Sequence, residues 1–251
     1  MDRLQLDKNA KLTGRVYFKD EVMWLGLSGS GASFTFDGTK LVLNLKGDNI
    51  AVGENPIDYA RIAVYVDGKR VVDEMINCAE KEITIIDRTE SAKSVVEIIK
   101  LSESPMSAVG IEAFAEGSAE ALPEKPLKIE FIGDSITCGY GVDDEDENHQ
   151  FTTATEDVTK AYAYKTAKAL DAEYSMFSAS GYGIVSGYTE GDEPISEQTI
   201  PQFYCSYGFS RGNFAGTAPQ DIPWDFSKYV PQIIVINLGT NDDSYCRDYK
   251  D

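Results

Sequence analysis

The sequence is poor in histidine, cysteine and tryptophan: 251 residues contain one, four and two of them. The cysteines (Cys78, Cys138, Cys205 and Cys246) are scattered and match no zinc-ligand spacing, so no metal is expected. Nothing in their placement requires a disulfide, and they read as free, mostly buried thiols. Basic residues are also scarce, 23 Lys and Arg against 42 Asp and Glu, for a formal net charge of −19. Such a surface repels phosphate, which argues against nucleic acid or an anionic membrane as partner and suits a neutral substrate. No stretch approaches the ~20 apolar residues of a membrane span. The start, Met1-Asp-Arg-Leu-Gln5, has no basic region leading into an apolar core, so no signal peptide is read. The expected location is cytoplasmic if this start is native and secreted if a signal was removed. Internal repeats are absent.

The chain falls into two halves. Residues 1–117 read as an all-β sandwich of jelly-roll type. The run Ala32–Phe36 alternates, meets Asp37-Gly38, and resumes at Leu41–Leu45; Arg61–Val66 meets Asp67-Gly68 and returns through Val71-Val72. Asp-Gly between two such runs predicts a hairpin, because both turn positions tolerate positive φ. Further strands are predicted at Val16–Phe18, Glu82–Ile86, Val95–Leu101 and Ala108–Phe114. Residues 118–126, with two prolines and little apolar content, read as a linker.

Residues 127–251 read as α/β, with helices covering a parallel sheet. Lys128–Ile132 and Tyr174–Ala179 are predicted strands. Gln232–Asn237 is apolar on both faces, as in a strand inside a parallel sheet. Tyr162–Leu170 has helical periodicity, with Thr155 or Asp157 as its cap. The glycine-, proline- and aromatic-rich stretch 187–221 reads as a long loop insertion that shapes specificity.

A polar cluster follows each of the three strands: Gly133-Asp-Ser135, Ser180-Gly181-Tyr-Gly183 and Leu238-Gly-Thr-Asn241-Asp242. Ligands of open parallel sheets bind beyond the carboxyl ends of the strands, and right-handed crossovers bring those ends to one edge. Ser135, Gly181 and Asn241 are therefore expected to converge. Their chemistry suits acyl transfer. A serine hydroxyl attacks an ester once a base takes its proton. The Ser135 N–H, the Gly181 N–H and the Asn241 amide then supply three donors to the oxyanion, each worth roughly 3–4 kcal/mol. Asp134 is expected to order the turn through hydrogen bonds.

These three blocks resemble those of SGNH (GDSL) hydrolases, and the two-part layout resembles carbohydrate esterase family 2. The likeness is sharpest in Phe131–Gly141 and Trp224–Asp242. The resemblance implies a flavodoxin-like three-layer domain behind the sandwich, with Ser135 as nucleophile and Gly181 and Asn241 as oxyanion donors. It implies no cofactor, and acetylated xylan or glucomannan as substrate. It also implies a late Asp-x-x-His block supplying the general base, which these 251 residues do not contain. The hydrolase domain is accordingly expected to be C-terminally incomplete, with three of about five strands, and this chain to be inactive as it stands. His149, the last residue of the charged segment Asp143–His149, reads as a solvated loop residue.

Lesser candidates are Tyr182 and Trp224 for substrate contact, each with a plain packing alternative, and Tyr140, Tyr204 and Tyr207 as a sugar-facing wall. Two rival functions stand beside the acetylesterase. One is a GDSL lipase or thioesterase acting on apolar acyl groups; the other is a non-catalytic glycan-binding protein lacking its base. The sequence leaves the oligomeric state open.

Overall fold

The computed structural model describes residues 1–214 and 216–246. Residues 247–251, the end of the expected second domain, lie outside the described residues.

The first nine strands are β1 (Asp2–Leu4), β2 (Lys11–Thr13), β3 (Val16–Lys19), β4 (Val22–Leu25), β5 (Gly31–Gly47), β6 (Ala60–Val66), β7 (Lys69–Ile76), β8 (Glu80–Lys100) and β9 (Val109–Ala121). They form one antiparallel sheet in the order β3-β4-β9-β5-β8-β6-β7, with β1 paired to β9 and β2 to β5. A one-turn helix, α1 (Leu6–Asn9), joins β1 to β2.

The two Asp-Gly pairs behave differently. Asp67 and Gly68 have φ of 51° and 79° and turn the β6–β7 hairpin as expected. Asp37-Gly38 does not turn: β5 runs straight through it, paired to β8 on one side and β9 on the other. A bulge between Gly38 and Lys40 interrupts both ladders there. The extra residue restores the phase of the strand, so Phe34 and Phe36 before it and Leu41, Leu43 and Leu45 after it share one core. Gly38 is needed for packing, since a Cβ would lie 2.3 Å from the Glu116 carbonyl oxygen. The predicted strands at 82–86 and 95–101 are likewise parts of one long strand, β8. Residues 118–121 of the expected linker continue β9, paired to Phe34–Asp37.

The second sheet has three parallel strands, β10 (Lys128–Gly133), β11 (Glu173–Ser178) and β12 (Ile233–Asn237), in the order β11-β10-β12. Its two faces follow the strand period of two. Ile129, Phe131, Tyr174 and Met176 pack with Ala163 and Ala167 of helix α3 (Tyr162–Ala169), and with Ala63, Ile99 and Leu101 of the first sheet. Ile132 and Phe177 pack with Leu27, Ile200 and Phe209 on the other face. Helix α3 starts at Ala161 without a side-chain cap; Asp157 instead caps the short 3-10 turn Val158–Lys160. Among the described residues β12 is an edge strand, with Ile233, Ile234 and Ile236 exposed, where the sequence suggested an interior strand. The long β11–β12 connection is mostly irregular, with a one-turn helix α4 (Ile200–Phe203) and two 3-10 turns. The last described element is helix α5 (Thr240–Cys246).

The two sheets are joined by polar contacts as well as apolar ones. Arg15 is fully buried; it donates to the Tyr204 and Ser206 carbonyls at 2.6 and 2.5 Å and lies 3.5 Å from Glu130. Its guanidinium also sits over the Phe177 and Tyr204 rings. Arg61 pairs with Asp143, and Arg70 with Asp157. No helix among the described residues is long and apolar enough to cross a membrane.

Candidate active site

Gly133, at the end of the central strand β10, faces Ser178 of β11 and Asn237 of β12 across the ladders. The three chains therefore leave the sheet at one level, and Ser135, Gly181 and Asn241 follow within two to four residues. A Cβ at position 133 would meet the Thr137 hydroxyl at 2.0 Å, so only glycine lets the chain turn there into the one-turn helix α2 (Ser135–Cys138). Asp134 caps that helix, accepting the Ile136 N–H at 3.1 Å, and Gly139 closes it in the left-handed region. Burial raises the Asp134 carboxyl; the Ile136 N–H opposes this, and the Asp242 charge adds to it. Asp134 thus orders the turn, and Ser135 is left half-buried at its start.

After β11, residues 179–182 form a β-turn closed by the Tyr182 N–H on the Ala179 carbonyl. Gly181 occupies its third position at φ +80°, the type II conformation that favours glycine. A Cβ there would meet nothing within 4 Å, so the space over Gly181 is open to a substrate. Asn241 is buried in the first turn of α5 and gives one amide proton to the Tyr182 carbonyl at 2.8 Å. The next residue, Asp242, accepts N–H groups from Ile184, Val185 and Ser186 at 2.7–3.1 Å. Burial would raise this carboxyl, but the three backbone donors outweigh it and hold it below its ordinary range. The second and third blocks are therefore tied to each other directly.

Three donors are left over. Among the described residues the N–H groups of Ser135 and Gly181 have no hydrogen-bond partner, and Asn241 keeps its second amide proton. Backbone donors at strand ends without acceptors are what a developing oxyanion requires.

The remaining candidates are placed as follows. Tyr182 is half-buried against Phe203 and Phe209, with ring centroids 6.2 and 4.9 Å away, and it lines a shallow cavity of about 110 Å³ that also touches Arg211 and Gln220. Trp224 is held elsewhere, near Arg15, Lys228 and the cluster of Trp24, Tyr207 and Phe214. Tyr207 is fully buried and bonds the Trp24 carbonyl, so it forms no sugar-facing wall. Tyr204 is half-buried with its hydroxyl on Glu130, while Tyr140 is exposed and stacks on Phe151 at 3.9 Å. His149 stays within its own exposed loop, bonding Asp144 at 2.8 Å. All four cysteines are free, but only Cys138 is buried; Cys205 and Cys246 are exposed, so the expectation of mostly buried thiols fails. Burial, with Glu103 and Glu156 nearby, pushes the Cys138 thiol well up, which leaves it inert at neutral pH.

Two contributors carried no assigned role at the sequence level. The role of Asp242 was foreshadowed only by its place beside Asn241. Glu103, from the loop after β8, accepts the Ser180 N–H at 2.5 Å, and no local pattern marks it.

Comparison with known proteins agrees with this layout. Residues 12–126 match the model of the carbohydrate esterase 2 N-terminal domain, and residues 129–250 that of the GDSL-like lipase/acylhydrolases. The chain is 33% identical over 218 residues to the cellulase/esterase CelE of Acetivibrio thermocellus, covering 86% of this chain and 24% of that protein. It is 28% identical over 243 residues to an acetylxylan esterase / glucomannan deacetylase of Cellvibrio japonicus, covering 94% of this chain and 62% of that one. A solved family two carbohydrate esterase from Clostridium thermocellum, in complex with cellohexaose, superposes with a TM-score of 0.75 at 28% identity, over 96% of this chain and 71% of that one. The chain thus spans less than two thirds of each of these curated relatives. With the two domain models adjoining in this order, the chain belongs to the family 2 carbohydrate esterases, an SGNH-type hydrolase domain behind a family 2 N-terminal domain.

Proposed function

We propose that Ser135 is the nucleophile of a serine esterase that removes O-acetyl groups from plant polysaccharides or oligosaccharides such as xylan and glucomannan. The observation that carries this reading is the trio of uncommitted donors, Ser135 N–H, Gly181 N–H and the second Asn241 amide proton, at the ends of three adjacent parallel strands. In this mechanism Ser135 Oγ attacks the acetyl carbonyl carbon and gives its proton to a base. The carbonyl oxygen becomes an oxyanion held by the three donors. Collapse breaks the C–O bond to the sugar, the protonated base returns its proton to the leaving hydroxyl, and acetyl-Ser135 remains. Water, deprotonated by the same base, then attacks the acetyl carbon; collapse breaks its bond to Ser135 Oγ, which takes the proton back from the base, and acetate leaves. Neither step draws on a metal or organic cofactor. No imidazole is paired to Ser135 among the described residues, since His149 is committed to Asp144.

The C. japonicus relative is named for acetylxylan and glucomannan deacetylation, which supports the choice of substrate. The net charge of −19 suits an uncharged glycan. Acetate release from acetylated xylan and glucomannan by the natural gene product, beside its Ser135→Ala variant, tests the reading. Release abolished by the substitution is expected. Release that survives it removes Ser135 as nucleophile, and glycan binding without any release favours a non-catalytic protein.

One observation favours a second reading, hydrolysis of longer apolar acyl esters. Ile136, Ile184 and Val185, close in sequence to the proposed nucleophile and oxyanion glycine, are 52%, 48% and 66% exposed. A p-nitrophenyl ester series separates the two, because a marked preference for long chains contradicts deacetylation.

A further inference from the structure

The first sheet sends a carboxylate into the edge of the hydrolase site. Beyond β8, Glu103 is completely buried, as are Lys100 and Glu156. Its backbone is fixed at both groups: the N–H donates to Glu156 Oε2 at 3.1 Å, and the carbonyl accepts from Lys100 Nζ at 3.0 Å. The next residue is anchored as well, Ser104 Oγ donating to the Phe209 carbonyl at 2.5 Å. The side chain is thus delivered by a rigid segment, and its Oε2 accepts the N–H of Ser180 at 2.5 Å.

Burying a carboxylate is costly unless it is well bonded. Here its backbone donor is the residue immediately before Gly181. The turn containing both is closed by its own hydrogen bond at only 3.3 Å, the long end of the range. Types I and II of such a turn differ by a flip of the middle peptide, the one that carries the Gly181 N–H. The flip would aim that N–H to the opposite side. The bond from Ser180 to this buried carboxyl, supplied from outside the hydrolase domain, restrains the peptide just ahead of it.

We propose that Glu103 is a positioning residue for the oxyanion glycine: by holding the Ser180 N–H, it keeps the 179–182 turn in the form that aims the Gly181 N–H at the reacting carbonyl. This rests on the esterase reading above, and it gives the N-terminal domain a part in catalysis through position alone. The residue touches no substrate. Its effect therefore falls on the transition state, where the oxyanion exists, and spares ground-state binding.

The test compares Glu103→Gln, Glu103→Asp and Glu103→Ala in the natural gene product. Glutamine keeps an acceptor oxygen at the same reach; aspartate keeps a carboxyl and loses the reach; alanine loses both. Expected are a kcat near wild type for Glu103→Gln and a fall of about 10- to 100-fold for the other two, with KM changed less than about twofold, as for a slightly misplaced catalytic group. Amide hydrogen exchange at Ser180, whose N–H Glu103 holds, should accelerate in the Asp and Ala variants only. If alanine prevents folding, the Gln–Asp pair still decides. A loss confined to KM, equal losses in Gln and Asp, or exchange unchanged in Asp overturns the proposal. Failure of the esterase reading is seen separately, as acetate release that survives Ser135→Ala, and the exchange measurement does not depend on it.

Discussion

Replacing Asn241 by alanine separates an oxyanion donor from a packing residue, and its two costs can be worked apart. In the ground state the amide makes one side-chain bond, to the Tyr182 carbonyl at 2.8 Å, from a buried position. Losing it forfeits about 0.5–1.5 kcal/mol and leaves an under-satisfied carbonyl, so a stability loss of about 1–2 kcal/mol is expected in urea unfolding. In the transition state the second proton is lost from the oxyanion. One such donor is worth about 2.7–4 kcal/mol, or roughly 100- to 1,000-fold in kcat. Since the oxyanion does not exist in the bound ester, KM should change little. Asn241→Asp is isosteric but presents a carboxylate with no proton to give, and it should be worse than alanine in kcat. Steady-state kinetics on p-nitrophenyl acetate with the natural gene product, beside the unfolding curves, provides both readings. A kcat within about threefold of wild type, or a loss carried by KM, would refute the donor role.

Two further outcomes follow from the buried polar groups between the sheets. Burial, reinforced by the Glu103 charge and opposed by the Glu103 N–H, Lys100 and Arg61, holds the Glu156 carboxyl well above its ordinary range. The folded chain then binds more protons than the unfolded one. This group's stabilisation is complete below the unfolded pKa of about 4.3 and is lost as pH rises towards the folded value. Glu156→Gln should match wild type near about pH 4 and exceed it near about pH 8 in urea unfolding, and parallel curves at both would contradict the assignment. Arg15→Ala removes a buried cation from Glu130, two backbone carbonyls and two ring faces, and should cost about 3–5 kcal/mol, whereas a loss below about 1 kcal/mol would show that the contact is idle.

The half of the fold that positions Ser135 was legible because parallel strands announce themselves locally. Lys128–Ile132, Tyr174–Ala179 and Gln232–Asn237 are short apolar runs, each followed by a polar, glycine-bearing cluster, and all three pair as expected. The first sheet was less legible. The Asp-Gly pairs at 37–38 and 67–68 are identical as dipeptides; the first is flanked on both sides by long partner strands, while the second ends an edge hairpin. Only the partners distinguish a bulge from a turn, and they lie tens of residues away. Asp157 was misassigned for a related reason: it caps the nearest available turn, and a 3-10 turn stood between it and α3.

The candidate site divides in the same way. Ser135, Gly181 and Asn241 were marked by their positions after strands, and Asp134 by its cap position before a short helix. Glu103 was invisible, because its bond to Ser180 spans 77 residues and joins two domains. Trp224 and Tyr207 looked like ligand platforms only because aromatic side chains suit sugars and cores equally; packing around Arg15 and Trp24 takes them inward.

The central claim, that Ser135 is an acylated nucleophile, is tested most directly by acid-quenching the natural gene product during turnover of p-nitrophenyl acetate and mapping the modified peptide by mass spectrometry. The account predicts one acetyl group on Ser135, absent from Ser135→Ala together with all turnover. Turnover that persists in Ser135→Ala, or an acetyl group carried stoichiometrically on another residue, would contradict it.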